Sequence, residues 1–150
     1  MNSIYLIMDY SIVKSVPIRI GRISLTEKGF VIFDFKDDTM INSEDTDEMR
    51  AVVEELTELS PKPMIVLTGD RMGTTKEARE KPLKTDPDLS LCEAIVIRSL
   101  PTRIAGMFFY KIYSPEHPYK FFSNQSEAFE WAEKIYNEHL QSQTQETSVS

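Results

Sequence analysis

Thr74 and Thr75 follow the run Gly69-Asp70-Arg71-Met72-Gly73, and together they form one candidate group for chemistry. A hydroxyl at the start of a helix can carry a phosphate, because helix N-termini attract anions. Gly69 and Gly73 give the run the look of a phosphate loop, but the Gly-Lys-Ser/Thr ending is missing. Spacing of that kind equally fits a strand-to-helix turn whose glycines supply positive φ. Asp70 and Arg71 would stand at the carboxyl end of a strand, where α/β folds hold ligands. That placement would suit a small enzyme, yet nothing nearby supplies a nucleophile and its base. His139 falls on an apolar helix face and reads as packed. His117, between Pro115 and Pro118, reads as a turn residue. The two histidines have no Cys/His cluster around them, so no metal site and no cofactor are expected. Cys92, the only cysteine, precedes an apolar run and reads as a small packed residue. Asp45-x-Asp47 opens like a calcium loop, but the glycine and the twelfth-position glutamate are missing. Residues 37–60 therefore read as an acidic helix and its approach.

A second candidate is apolar. Between residues 102 and 113, Ile104, Met107, Phe108 and Ile112 fall on one helical stripe. Ala105, Phe109, Tyr110 and Tyr113 occupy other sides, leaving mainly Arg103 and Lys111 charged. A helix apolar almost all round is buried on more than its sheet-facing side. Phe109, Tyr110 and Tyr113 thus need a cover: other helices of this chain, a second subunit, or an apolar ligand such as a lipid. The seven residues Ile104, Met107, Phe108, Phe109, Tyr110, Ile112 and Tyr113 form the candidate ligand or dimer surface.

The elements that position these groups alternate. Residues 17–25 and 30–35 predict a β-hairpin around Thr26-Glu27-Lys28-Gly29, with a bulge at Gly21 where the alternation slips. Asn42 or Ser43 caps a helix whose apolar stripe is Met49, Val52, Val53, Leu56 and Leu59. Met64–Leu67 and Ala94–Ile97 read as buried parallel strands. Thr74 or Thr75 caps a short helix, and Lys81–Pro87 is a break. Asp88–Cys92 reads as a helical turn. Ser99 or Leu100 caps the aromatic helix, with Pro101 in its first turn. Tyr119–Phe122 is a short strand, and Asn124-x-x-Glu127 opens the last helix in the manner of a capping box. The fold class is therefore α/β: a mixed, mainly parallel sheet with helices packed on it, opening with an antiparallel hairpin.

The chain has 150 residues, 41% of them hydrophobic and 27% charged, which suits one soluble domain with a sizeable core. We place that domain at residues 1–140, with 1–16 as an extension that could add an edge strand and 141–150 as a disordered tail. The net charge of −7 excludes general nucleic-acid binding. No apolar run is long enough for stable membrane insertion. Ile4–Met8 is too short for a leader, so a cytoplasmic location is expected. Residues 37–60 hold nine acids and one base, so the acidity is concentrated there and the loop around Thr75 is locally basic.

Several of these segments together resemble the STAS/SpoIIAA-like domain family. They are the strand Met64–Leu67, the run Thr74-Thr75-Lys76-Glu77-Ala78-Arg79, and Ala94–Ile97 leading into the aromatic helix. Pro118-Tyr119-Lys120-Phe121-Phe122-Ser123 followed by Glu127-Ala128-Phe129-Glu130-Trp131 resembles the family's C-terminal signature. The resemblance spans about residues 17–140. It implies a SpoIIAA-like fold and a non-enzymatic binding or regulatory module: a homodimer, or a binder of a hydrophobic small molecule or lipid, through helix 102–113. It also implies an alternative, an anti-sigma-factor-antagonist-like switch in which phosphorylation of Thr74 or Thr75 controls a protein partner. The family's Asp-Ser-Ser/Thr-Gly pattern is replaced here by Gly73 before the threonines and Lys76 after them.

Overall fold

The computed structural model of the chain describes residues 10–80 and 89–149, and the side chains to residue 145. The run Ile4–Met8 and the break at Lys81–Pro87 lie outside the described residues. In chain order the elements are β1 (Ile12–Ile18), β2 (Gly21–Thr26), β3 (Val31–Phe35), β4 (Met40–Ile41), α1 (Ser43–Thr57) and β5 (Lys62–Leu67). They continue with β6 (Gly73–Thr74), α2 (Lys76–Glu80), β7 (Ser90–Val96), α3 (Leu100–Tyr113), β8 (Tyr119–Phe122) and α4 (Gln125–Val149). Six strands form one sheet in the order β1-β2-β3-β5-β7-β8. The first two pairings are antiparallel and the last three parallel, so the mixed, mainly parallel sheet is observed. β4 and β6 make a separate two-stranded parallel ribbon.

The predicted hairpin is present, but the slip at Gly21 is not a bulge. It is a second, two-residue turn, with Ile18 opposite Gly21 and β1 running back along β2. Part of the N-terminal extension thus becomes an edge strand. Glycine is needed at position 21 because a Cβ there would stand 2.1 Å from the Asp34 carbonyl oxygen. At the β2–β3 turn, Gly29 has φ +95°, the left-handed backbone that the turn residues predict.

Strand alternation divides the core. Ile32, Ile65, Leu67, Ala94, Val96 and Phe122 face α4, where Ala128, Phe129 and Ala132 meet them. Ile20, Ile23, Val31 and Met64 face α1, through Val52, Val53 and Leu56. Val66, Ile95 and Ile97 lie beneath α3, against Tyr110. Helices therefore cover both faces, as the parallel strands require.

Three local expectations change. Residues 90–92 belong to β7 rather than to a helical turn, because Lys62 N–H reaches back to the Leu89 carbonyl and sets the pairing. Leu59 leaves the α1 stripe: Glu58 and Leu59 adopt left-handed φ of 51° and 63°, and Leu59 is 57% exposed. Helix α4 runs through residues 141–149, where a disordered tail is expected. Gln, Thr and Glu there carry the helix on, and no glycine or proline intervenes to stop it.

Candidate functional site

The aromatic helix faces the sheet the other way round from the arrangement its main stripe predicts. Tyr110 is 7% exposed and buried on Val66, Ile95 and Ile97, with Phe109, Tyr113 and Phe121 packed beside it. The partner rings are close: Tyr110 stacks on Tyr119 at 5.0 Å and meets Phe121 edge-on at 5.6 Å. Phe109, Tyr110 and Tyr113 thus have their cover within the chain. Gly106 explains the choice of face. A Cβ there would lie 3.1 Å from Ile97 Cδ1 and 3.4 Å from Phe121 Cε1, so glycine lets this side of α3 sit down on the sheet. Both sides of α3 are apolar, and periodicity alone does not rank them. Thr102 and Gly106, in line with Phe109, Tyr110 and Tyr113, are the small residues that mark the inner side.

The predicted stripe is therefore the outer one. Leu100, Ile104, Met107, Phe108 and Ile112 are 68%, 60%, 53%, 63% and 50% exposed. They form a contiguous apolar face with Lys111 beside it.

Beneath α3 lies a polar cluster that the sequence does not announce. Glu93, in the middle of β7, accepts a hydrogen bond from the Tyr110 hydroxyl at 2.9 Å. Its other oxygen pairs with His117 Nε2 at 2.7 Å. The side chains of His117 and Glu93 are only 8% and 12% exposed. Burial, and then the adjacent Glu93 carboxylate, push the Tyr110 hydroxyl well above its ordinary pKa, so it remains a donor. His117 is thus more than a turn residue: it anchors the Ser114–Pro118 connection to β7. The signal was weak, because Glu93 and His117 stand 24 residues apart. Removing the hydroxyl in Tyr110→Phe leaves one oxygen of Glu93 without its donor. We expect a loss of about 1–3 kcal/mol in unfolding free energy, measured by urea denaturation.

Thr74 and Thr75 lie near the ribbon. Thr74 is in β6, and Thr75 N–H donates to the Ile41 carbonyl at 2.9 Å. The Thr75 hydroxyl accepts from Ala78 N–H at 3.2 Å and caps α2, as expected for a threonine there. The loop before them is committed to structure. Asp38 N–H donates to the Asp70 carbonyl, and Asp70 N–H to Asp37 Oδ1, both at 2.8 Å. Arg71 forms an ion pair with Asp38. A Cβ on Gly69 would stand 2.2 Å from the Lys36 carbonyl oxygen, so this glycine serves close backbone approach. The local positive charge expected around Thr75 is partly matched by Asp38. Asp70 and Arg71 thus bond to Asp37 and Asp38, just beyond the end of β3. Cys92 is fully buried, and desolvation pushes its thiol up to about 12, which leaves it unreactive. His139, on α4, is half-buried. Among the described residues no group of His, Cys, Asp or Glu could hold a metal ion, and no helix is long and apolar enough to cross a membrane.

A mixed sheet entered by an antiparallel hairpin and covered by helices on both faces is the SpoIIAA-like fold. The crystal structure of an uncharacterized DUF3478-family protein with a SpoIIAA-like fold, from Shewanella loihica PV-4, matches with a TM-score of 0.51. The match covers 88% of this chain and 98% of that one at 16% identity, and it concerns the fold alone. The chain itself belongs to the family described as domain of unknown function DUF7793, whose model matches residues 24–136. No curated protein matches.

Proposed function

We propose that the protein is a non-enzymatic, STAS-like binding module that pairs with a second copy of itself through the outer face of α3. The observation that carries this reading is the contiguous exposed stripe of Leu100, Ile104, Met107, Phe108 and Ile112. A patch of that kind on a soluble domain marks an interaction surface. Its spacing favours a second copy over a lipid. Leu100, Ile104, Phe108 and Ile112 recur every four residues, forming one i±4 ridge. Two such ridges interdigitate at a crossing near −50°. In an antiparallel two-fold pair, Leu100 meets Ile112 of the second copy and Ile104 meets Phe108, so the stripe is self-complementary. Completing the burial of each half-exposed side chain contributes on the order of 1 kcal/mol. The alternative switch at Thr74 or Thr75 draws less support, because Thr74 lies in a strand and the Thr75 hydroxyl already caps α2.

Size-exclusion chromatography with light scattering tests the proposal. The wild-type chain is expected at twice its own mass, and Phe108→Glu at the single-chain mass with an unchanged circular dichroism spectrum. A wild-type monomer at all concentrations overturns the second copy as occupant. If that monomer carried lipid in native mass spectrometry, a hydrophobic ligand would take its place.

A further inference from the structure

Helix α3 leads into the connection Ser114–Pro118, which has few backbone donors of its own, because Pro115 and Pro118 carry no N–H. The main chain holds its two ends. Ser114 N–H donates to the Tyr110 carbonyl at 2.8 Å, and the Pro118 carbonyl accepts Glu93 N–H at 3.0 Å. Between those ends a side chain does the holding: His117 Nε2 meets Glu93 Oε2 at 2.7 Å.

Titratable groups face this pair from three elements. Glu93 comes from β7, and Tyr110 of α3 donates to its other oxygen at 2.9 Å. Tyr113, also of α3, has its ring centre 6.4 Å from that of His117. Tyr119 of β8 stacks on Tyr110 at 5.0 Å. Glu116, beside His117 on the connection, is exposed. Tyr110 is kept neutral by burial and by Glu93, so it supplies a hydrogen bond but no charge. The side chains of Glu93 and His117 are both largely out of water. A carboxylate beside a neutral imidazole leaves a net negative charge there, whereas one further proton makes the pair neutral. An uncompensated buried charge is what desolvation penalises most. The 2.7 Å separation also falls in the range of a charge-assisted N–H···O contact.

We infer that the Glu93–His117 pair is a pH-sensitive latch on the C-terminal end of α3. It keeps one shared proton through neutral pH, and release of that proton unfastens the Ser114–Pro118 connection. The titration belongs to the pair rather than to either residue. In the unfolded chain the histidine stands in water and gives up its proton at about pH 6.5. The folded pair gives it up at higher pH. The latch's contribution is therefore complete below the unfolded value and is lost as pH rises through the folded one. This device acts on the seating of α3 against the sheet and does not depend on pairing through the helix's outer face.

The test is an NMR titration of the full wild-type chain from about pH 5 to about pH 9, repeated in concentrated urea. It follows the imidazole protons of His117, assigned by comparison with His139→Gln. The folded midpoint is expected about one pH unit or more above the unfolded one, with the Glu116 and His117 amides moving at the same midpoint. Urea unfolding across that range gives a second readout. Glu93→Gln and His117→Gln each remove the retained proton, so their deficit from wild type is expected to be largest near the acid end and to shrink toward the alkaline end. A merely structural contact would lower stability equally at both ends. The inference is overturned if His117 titrates at or below the unfolded midpoint, if it does not titrate in this range, or if the two deficits are independent of pH. Should neither variant fold, the wild-type titration decides alone.

Discussion

Replacing Phe30 with alanine is expected to remove about 3–5 kcal/mol of unfolding free energy. Phe30 enters β3 from the turn and is 1% exposed. Its ring meets Phe129 of α4 edge-on at 5.5 Å and Tyr10 edge-on at 5.5 Å. Tyr10 in turn stacks on Phe129 at 4.0 Å. One side chain therefore joins the central sheet, the last helix and the segment leading into β1. Truncation would lose the buried ring and leave a cavity that three separate elements border, so collapse around it is restricted. Against a typical total of about 5–15 kcal/mol, the loss is a large share of stability. Phe30→Leu retains most of the apolar volume and forfeits mainly the ring contacts, so a cost of about 1–2 kcal/mol is expected. Urea unfolding curves on both variants check the pair. A Phe30→Ala loss below about 1 kcal/mol would mean that the three rings do not form the joint described.

The features legible from sequence were those decided locally. Asn42 and Asp45 cap α1 through neighbours three residues apart, and the negative first turn announced them. Pro101 and Ser99 likewise fixed the start of α3. Which side of α3 faces inward was a different kind of question. Both sides are apolar, and the decision rests on Gly106 meeting Ile97 and Phe121, contacts that only the folded sheet creates. The β4–β6 ribbon has two residues per strand, too few to show alternation, and its partners lie 33 positions apart. Gly21 misled for the opposite reason. A phase slip in an alternating run is produced by a bulge and by a tight turn alike, and only the pairing of Ile18 with Gly21 distinguishes them. Along α3, burial reverses the roles of the two sides that the sequence distinguishes: the stripe with Ile104, Met107, Phe108 and Ile112 is the outer one. The place of β8 at the end of the described sheet is not legible either, because strand order is a property that no single segment carries.

Asp45 is where the acidic region becomes structural, and Asp45→Ala is expected to cost about 2–3 kcal/mol at neutral pH. The carboxylate is 3% exposed by side chain, whereas its partner Arg19 is 53% exposed. It accepts Arg19 Nε at 2.8 Å and Arg19 Nη2 at 2.5 Å, a two-point pairing. It also accepts the Asn42 N–H at 2.8 Å, while the Asn42 side chain accepts the Asp45 N–H at the same distance. Arg19 belongs to the β1–β2 turn and reaches the Met40 carbonyl at 2.6 Å, so Asp45 fastens that turn, β4 and the start of α1 together. The arginine bonds hold the Asp45 carboxyl below the usual carboxylate range, with burial opposing and the Asn42 N–H adding to the effect. A depressed folded-state pKa means that the unfolded chain takes up the proton first as pH falls. The contribution is therefore complete above the unfolded value of about 4 and is lost as pH drops through the lower folded value. Asp45→Asn separates charge from shape. Its deficit relative to wild type should be present at neutral pH and shrink as the pH is lowered below about 4. Asp38 and Glu55 are also held low, by Arg71 and Lys14, but they lie exposed, where solvent screens such pairs. Asp38→Asn should consequently leave the acid limb of the stability curve almost unchanged. An equal flattening of that limb by Asp38→Asn and Asp45→Asn would show that surface charge in general, rather than the buried Asp45 carboxylate, sets the acid sensitivity.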